Sequence, residues 1–250
     1  PSQNARFLVF LAAFIAGVDE YQDFLRCTVA HAGNDHRLGA GEAPPAILSI
    51  FLGDELTSVV ESIINGTNYV DPQKSVMRIG VDVLPSIPKD TTDRNRTSPL
   101  AFTGNKFEFR MVGSRDSVAD STIVLNTIVA EAFADACDYL ETQEDFDTAV
   151  HDLIKKYAEE HERIMFGGNG YSQEWVEEAA RRGLPNLATM VDAVPYLVTD
   201  KTVNLFERFG VFNRAELESR AEIKYETYAK VINIESRSMI DIASKHIIPV

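Results

Sequence analysis

Within this chain of 250 residues, the segment Lys106-Phe107-Glu108-Phe109-Arg110 concentrates side chains that can do chemistry. Strict alternation places Lys106, Glu108 and Arg110 on one face of a strand and Phe107 and Phe109 on the other. Arg94 and Arg96 precede it and enlarge the positive charge. Buried without partners, each such charge costs roughly several kcal/mol, so the sequence must supply compensation. Three arrangements do so. One is a surface ion-pair ladder in which Glu108 neutralises its neighbours. Another is an anion site, where guanidiniums hold phosphate or carboxylate by forked hydrogen bonds and the carboxylate holds a hard divalent cation. The third is a patch for a protein partner. A second candidate is Asn34-Asp35-His36-Arg37, followed by Gly39, Gly41 and Glu42. Glycine permits positive φ and close approach of backbone to a ligand. Arg37 and Glu42 then either grip an amino acid or remain loop-surface charges, and His36 alone is a weak signal.

The elements that must position these groups follow from periodicity and punctuation. Phe7, Phe10, Leu11, Phe14, Val18, Tyr21, Leu25 and Val29 recur at helical spacing and predict a buried amphipathic helix. The glycine-rich stretch 31–42, closed by Pro44-Pro45, predicts a loop. Ala46–Leu52 reads as a short buried strand, Asp54–Ile64 as a helix ending at Gly66, and Met77–Leu84 as a strand. From Ser117 onward the pattern is helical. Val118–Ala136 is apolar nearly all round and is expected to be buried, and Phe146–His161 marks an amphipathic helix. Ser172 caps another that ends before Gly183, and a long last helix runs from about Arg214 to His246. Phe166-Gly-Gly-Asn-Gly170 joins two helices without a preceding strand or a Lys-Ser/Thr, so it reads as a linker and not as a phosphate loop.

Composition narrows the partners. A net charge of −14 makes nucleic acid and anionic membranes poor partners, since both repel the chain. The segment 89–115 is the exception, with six basic residues against three acidic. The acidic stretch 131–180 reads as solvated helix faces. Two cysteines, Cys27 and Cys137, far apart in sequence and without metal-ligand spacing, fit a reduced, cytoplasmic protein. The uncharged run Phe7–Val18 is too short to span a bilayer, and its helical continuation through charged residues argues against a signal peptide.

Three segments in order, Gly33-Asn-Asp-His-Arg37-Leu-Gly-Ala-Gly-Glu42-Ala-Pro-Pro45, Arg94-Asn-Arg96-Thr-Ser-Pro99 and Lys106-Phe-Glu108-Phe-Arg110, resemble glutamine synthetase, the large bacterial type III class in particular. The resemblance covers essentially the whole chain. It implies an α+β fold: part of the family's catalytic antiparallel sheet with flanking helices over 1–140, then a mostly helical C-terminal region over 141–250. It also implies ATP-dependent ligation of ammonia to glutamate through a γ-glutamyl phosphate, with Mg or Mn, in a homo-oligomeric ring. Arg37 and Arg110 would then hold glutamate, and Arg94, Arg96 and Lys106 would face the ATP phosphates. Glu108 would be a metal ligand, and Glu42 would sit on a flap and take a proton from ammonium.

This sequence departs from the family pattern in three ways. Leu100-Ala101-Phe102 stand where the commoner bacterial class has a further arginine, for which Lys106 is the nearest substitute. A segment at roughly 50–90 is additional, as the type III class has. The family's N-terminal small domain, first metal carboxylates and nucleotide motif are missing ahead of Pro1. The expectation is therefore a C-terminal part of a longer polypeptide, inactive alone. Two rival readings are a non-catalytic regulatory or assembly module, and a ligase joining glutamate to another amine.

Overall fold

The structure is a computed structural model and describes residues 4–67, 69 and 97–249, together with the backbone of 76–77 and 87–88. Arg94 and Arg96 lie outside the described residues, as does all but Met77 of the strand expected over Met77–Leu84.

Most of the described chain is helical. Helix α1 (Ala5–Glu20) is capped by the Asn4 side chain, which accepts from the Phe7 N–H, and it buries Leu11, Ala12, Ala13 and Ile15–Asp19. The helix expected to run on to Val29 breaks at Tyr21 (φ −115°, ψ 27°) and resumes as α2 (Gln22–Cys27). A short α3 (Ala32–Arg37) then lies inside the stretch read as loop. Gly33 is not in the left-handed region, unlike Gly39 and Gly41, so it can be helical. Its weak helix propensity is offset by tertiary bonds from Asn34 and Asp35, described below.

Strand β1 (Ile50–Phe51) is shorter than the Ala46–Leu52 run predicts, although Ile47–Leu52 is buried throughout. Helix α4 (Asp54–Ile64) follows as expected. After β2 (Val76–Met77) and β3 (Ile87–Pro88), an antiparallel pair, come β4 (Leu100–Phe102) and β5 (Phe107–Phe109). The main sheet has order β1-β4-β5: β4 and β5 form an antiparallel hairpin with Ala101 opposite Glu108, and β1 pairs parallel with β4. The sheet is therefore mixed. Its alternation has the expected result, since Phe107 stacks on Phe14 of α1 at 4.0 Å between ring centroids and Phe7 meets Phe102 edge-on.

Helices α5 (Ala119–Glu141) and α6 (Phe146–Glu160) both pack on α1. Gly17 makes the first contact possible: a Cβ there would stand 3.0 Å from the Ile128 carbonyl oxygen. The expectation that α5 is buried all round is corrected, because Ser121, Val124, Thr127, Ile128, Ala132 and Ala136 are its buried residues. A single stripe suffices for a helix that packs from one side. Helices α7 (Gln173–Arg181), α8 (Met190–Ala193), α9 (Asp200–Arg208) and α10 (Arg214–Ile242) complete the chain. Ser172 caps α7 as its position predicts, accepting from the Trp175 N–H. No helix among the described residues is long and apolar enough to cross a membrane.

Candidate functional site

The turn between β4 and β5 closes with the Thr103 N–H on the Lys106 carbonyl at 2.9 Å, with Gly104 at φ +95°. Alternation then presents Lys106, Glu108 and Arg110 together, opposite the phenylalanines on α1. Arg110 donates to Glu108 Oε2 from Nη2 at 3.0 Å and from Nε at 3.3 Å. Lys106 Nζ stands 3.6 Å from Oε1, and the Thr103 hydroxyl donates to the same oxygen at 3.3 Å. The Arg110 hydrogen bond, helped by the charges of Arg110 and Lys106, holds the Glu108 carboxyl below its ordinary range. The ion-pair ladder is thus present. It lies part-exposed.

Arg37, at the end of α3, reaches the chain just beyond β5 from the other segment. Its Nη1 donates to Asn34 Oδ1 at 3.0 Å and to the Met111 carbonyl at 3.3 Å, one residue beyond Arg110. Asn34 is buried, and its amide donates to the Val29 and Met111 carbonyls at 2.8 and 3.0 Å. The Arg37 guanidinium is thus bonded to the backbone one residue beyond Arg110, whose own guanidinium pairs with Glu108.

Beyond Arg37 the chain makes a closed turn. The Gly39 N–H donates to the Ala43 and Pro44 carbonyls at 3.2 and 3.1 Å, and Gly39 and Gly41 take φ values of +77° and +84°. Tyr171 anchors the base by donating its hydroxyl to the Ala43 carbonyl at 3.0 Å. Glu42 is exposed on this turn. The segment read as a linker does join two helices, and it also buttresses the site. Gly170 N–H donates to Thr97 Oγ1 at 2.9 Å, next to Arg96, and a Cβ on Gly170 would stand 2.8 Å from the Thr97 carbonyl oxygen. Phe166 stacks on Trp175 at 3.7 Å.

Comparison with known proteins gives the following similarities. Residues 149–250 match the glutamine synthetase C-terminal domain. The chain is 48% identical to the type-3 glutamine synthetase of Dictyostelium discoideum, over 100% of this chain and 34% of that protein. It is 46% identical to a glutamine synthetase of Butyrivibrio fibrisolvens, over 98% of this chain and 35% of that protein. A glutamine synthetase of Bacteroides fragilis (strain YCH46) is 40% identical, over 100% of this chain and 35% of its own length. Over its whole length this chain is similar to glutamine synthetases. It spans about a third of the length of the curated relatives it matches.

A glutamine synthetase implies a divalent metal, and the described residues do not by themselves fit one. Among them, no group of three or more His, Cys, Asp or Glu side chains is placed to hold an ion. Glu108 offers one hard oxygen ligand, already flanked by two cations. Completing a site takes carboxylates from elsewhere.

Sequence reasoning missed Arg26, and it named Asn34 and Asp35 within the second candidate segment without giving either a role. The Arg26 guanidinium is buried at the end of α2 and reaches Asp35 and the backbone of 187–188. The only available signal was a charged residue on the apolar face of a helix.

Proposed function

We propose that these residues form part of the active site of a type-3 glutamine synthetase, acting with the remaining two thirds that its relatives carry. The reaction joins ammonia to glutamate in two displacements. An oxygen of the side-chain carboxylate attacks the γ-phosphorus of ATP and ADP leaves. Ammonia then attacks the acyl carbon of the γ-glutamyl phosphate and inorganic phosphate leaves. Both steps are governed by positioning and charge neutralisation, which suits a site rich in arginine.

In this reading Arg37 and Arg110 hold the carboxylates of glutamate, and Arg94, Arg96 and Lys106 face the phosphates of ATP. Glu42, on its anchored turn, takes the proton from ammonium before attack. Glu108 orients Arg110 and contributes one oxygen towards Mg or Mn. We assign 1–140 to the catalytic sheet and its flanking helices, of which β1-β4-β5 is a portion, and 141–250 to the C-terminal helical region. The family match starting at 149, inside α6, supports that division. The protein works as a homo-oligomer in the cytoplasm, and neither nucleic acid nor membrane is a partner.

The observation that carries the reading is the 48% identity along the whole chain to a type-3 glutamine synthetase. The test is glutamine formation from glutamate, ammonium and ATP with Mg or Mn. The complete polypeptide is expected to turn over, and residues 1–250 alone are expected to show no activity until the rest is supplied. A complete polypeptide that binds ATP but forms neither glutamine with ammonium nor a γ-glutamyl amide with any other amine would favour a regulatory or assembly module.

A further inference from the structure

The substrate-facing Arg37 sits on a six-residue helix with two glycines close behind it, and such a short element does not hold its own orientation. On one side Asn34 and Arg37 are tied to Met111. The opposite tie is Asp35. Its Oδ1 accepts from Arg26 Nη2 at 3.2 Å, and its Oδ2 accepts from the Met190 N–H at 2.6 Å. Arg26 in turn donates from Nε to the Leu187 carbonyl at 2.9 Å and from Nη2 to the Ala188 carbonyl at 3.2 Å. The Arg26 side chain is 1% exposed and that of Asp35 10%, so solvent cannot replace these bonds cheaply. The backbone acceptors and donor at 187–190 all lie within the matched C-terminal domain.

We infer that Arg26 and Asp35 are positioning residues that lock α3 to segment 187–190 and thereby aim Arg37, so that the C-terminal helical region sets affinity for the glutamate carboxylate. This rests on the reading of Arg37 given above. Asp35 is adjacent to Asn34 and two residues before Arg37. A change of helix tilt at Asp35 is therefore passed directly to the fork of Arg37, where a displacement of about 1 Å is costly. Neither Arg26 nor Asp35 touches substrate.

The test uses Asp35→Asn and Arg26→Lys in the complete polypeptide. Asparagine removes the charge while keeping the shape. Lysine keeps the charge but cannot reach three acceptors as a planar fork does. Val203→Ala, a buried truncation in α9, serves as a control for simple destabilisation. Both clamp variants are expected to raise the KM for glutamate by about tenfold with kcat within about threefold and the KM for ATP unchanged, while Val203→Ala lowers the melting temperature without moving either constant. If Arg37→Lys raises the KM for glutamate and the clamp variants, folded, do not, the inference is overturned and the function stands. If Arg37→Lys itself leaves that KM unchanged, the carboxylate reading of Arg37 fails and the inference fails with it. Should Asp35→Asn not fold, Arg26→Lys decides by the same constants.

Discussion

Arg37 Nη1 and the Met111 carbonyl oxygen are 3.3 Å apart, and this hydrogen bond joins the end of α3 to the segment just beyond β5 that holds Arg110. Through it, Arg37 is bonded to the residue that follows Arg110, more than seventy positions along the chain. A resemblance in sequence motifs thereby acquires a geometric basis. The segment around Arg37 is bonded to the chain just beyond β5.

Glu108 pairs with Arg110. Glu108→Gln keeps the volume but removes the charge that orients Arg110 and pairs Lys106. These are part-exposed ion pairs, so stability should change little. Turnover should nevertheless fall by about a hundredfold or more. Chemical denaturation and steady-state kinetics check this, and normal turnover at saturating metal would reduce the ladder to a surface feature.

Glu42 is expected to act only after the acyl phosphate has formed. Hydroxylamine is a neutral nucleophile near pH 7 and needs no base. Glu42→Ala should therefore lose ammonia-dependent synthesis far more than hydroxylamine-dependent synthesis. Equal losses with both nucleophiles would remove Glu42 from proton transfer.

Asp19 is a structural counterpart to these exposed charges. Its buried carboxylate accepts from Arg163 Nε on both oxygens (3.0 and 2.9 Å) and from Gln22 at 3.0 Å, and it pairs with His161 Nδ1 at 2.8 Å. Asp19→Asn should destabilise the fold by about 3 kcal/mol, because it strands the donors gathered round it. A change below about 0.5 kcal/mol in denaturant titration would show that the cluster contributes no net stability.

The two cysteines should separate by reactivity. Cys27 is buried, and burial pushes its thiol up to about 11, whereas Cys137 is exposed. Under native conditions at neutral pH, a maleimide should label Cys137 and spare Cys27, and denaturant should expose both. Equal native labelling, read by peptide mass spectrometry, would mean that α2 is not packed as described.

Local signals in the sequence proved informative where a single element decided the outcome. The Phe/charge alternation of Lys106–Arg110 gave a strand with its aromatic face on α1. Ser172 placed the start of α7, and the apolar spacing of Asp54–Ile64 fixed α4. Partners distant in the chain were not legible. Arg26 meets the carbonyl of Leu187, 161 residues away, and nothing in its neighbourhood announces that bond. Helix α3 was hidden for the same reason, since local glycine content argues against it and long-range bonds from Asn34 and Asp35 hold it. The break at Tyr21 and the close approach at Gly17 likewise depend on what packs against them.

In the proposed synthetase site this chain supplies both the glutamate-carboxylate ligand and a phosphate ligand. The most direct measurement compares Arg37→Lys with Arg96→Lys in the complete enzyme, varying glutamate and ATP separately. Lysine keeps the charge and loses the planar fork that grips a carboxylate or phosphate. Arg37→Lys is expected to raise chiefly the KM for glutamate, by about tenfold or more, and Arg96→Lys chiefly to slow phosphoryl transfer from ATP. Small and equal effects of both substitutions on both substrates would contradict the account.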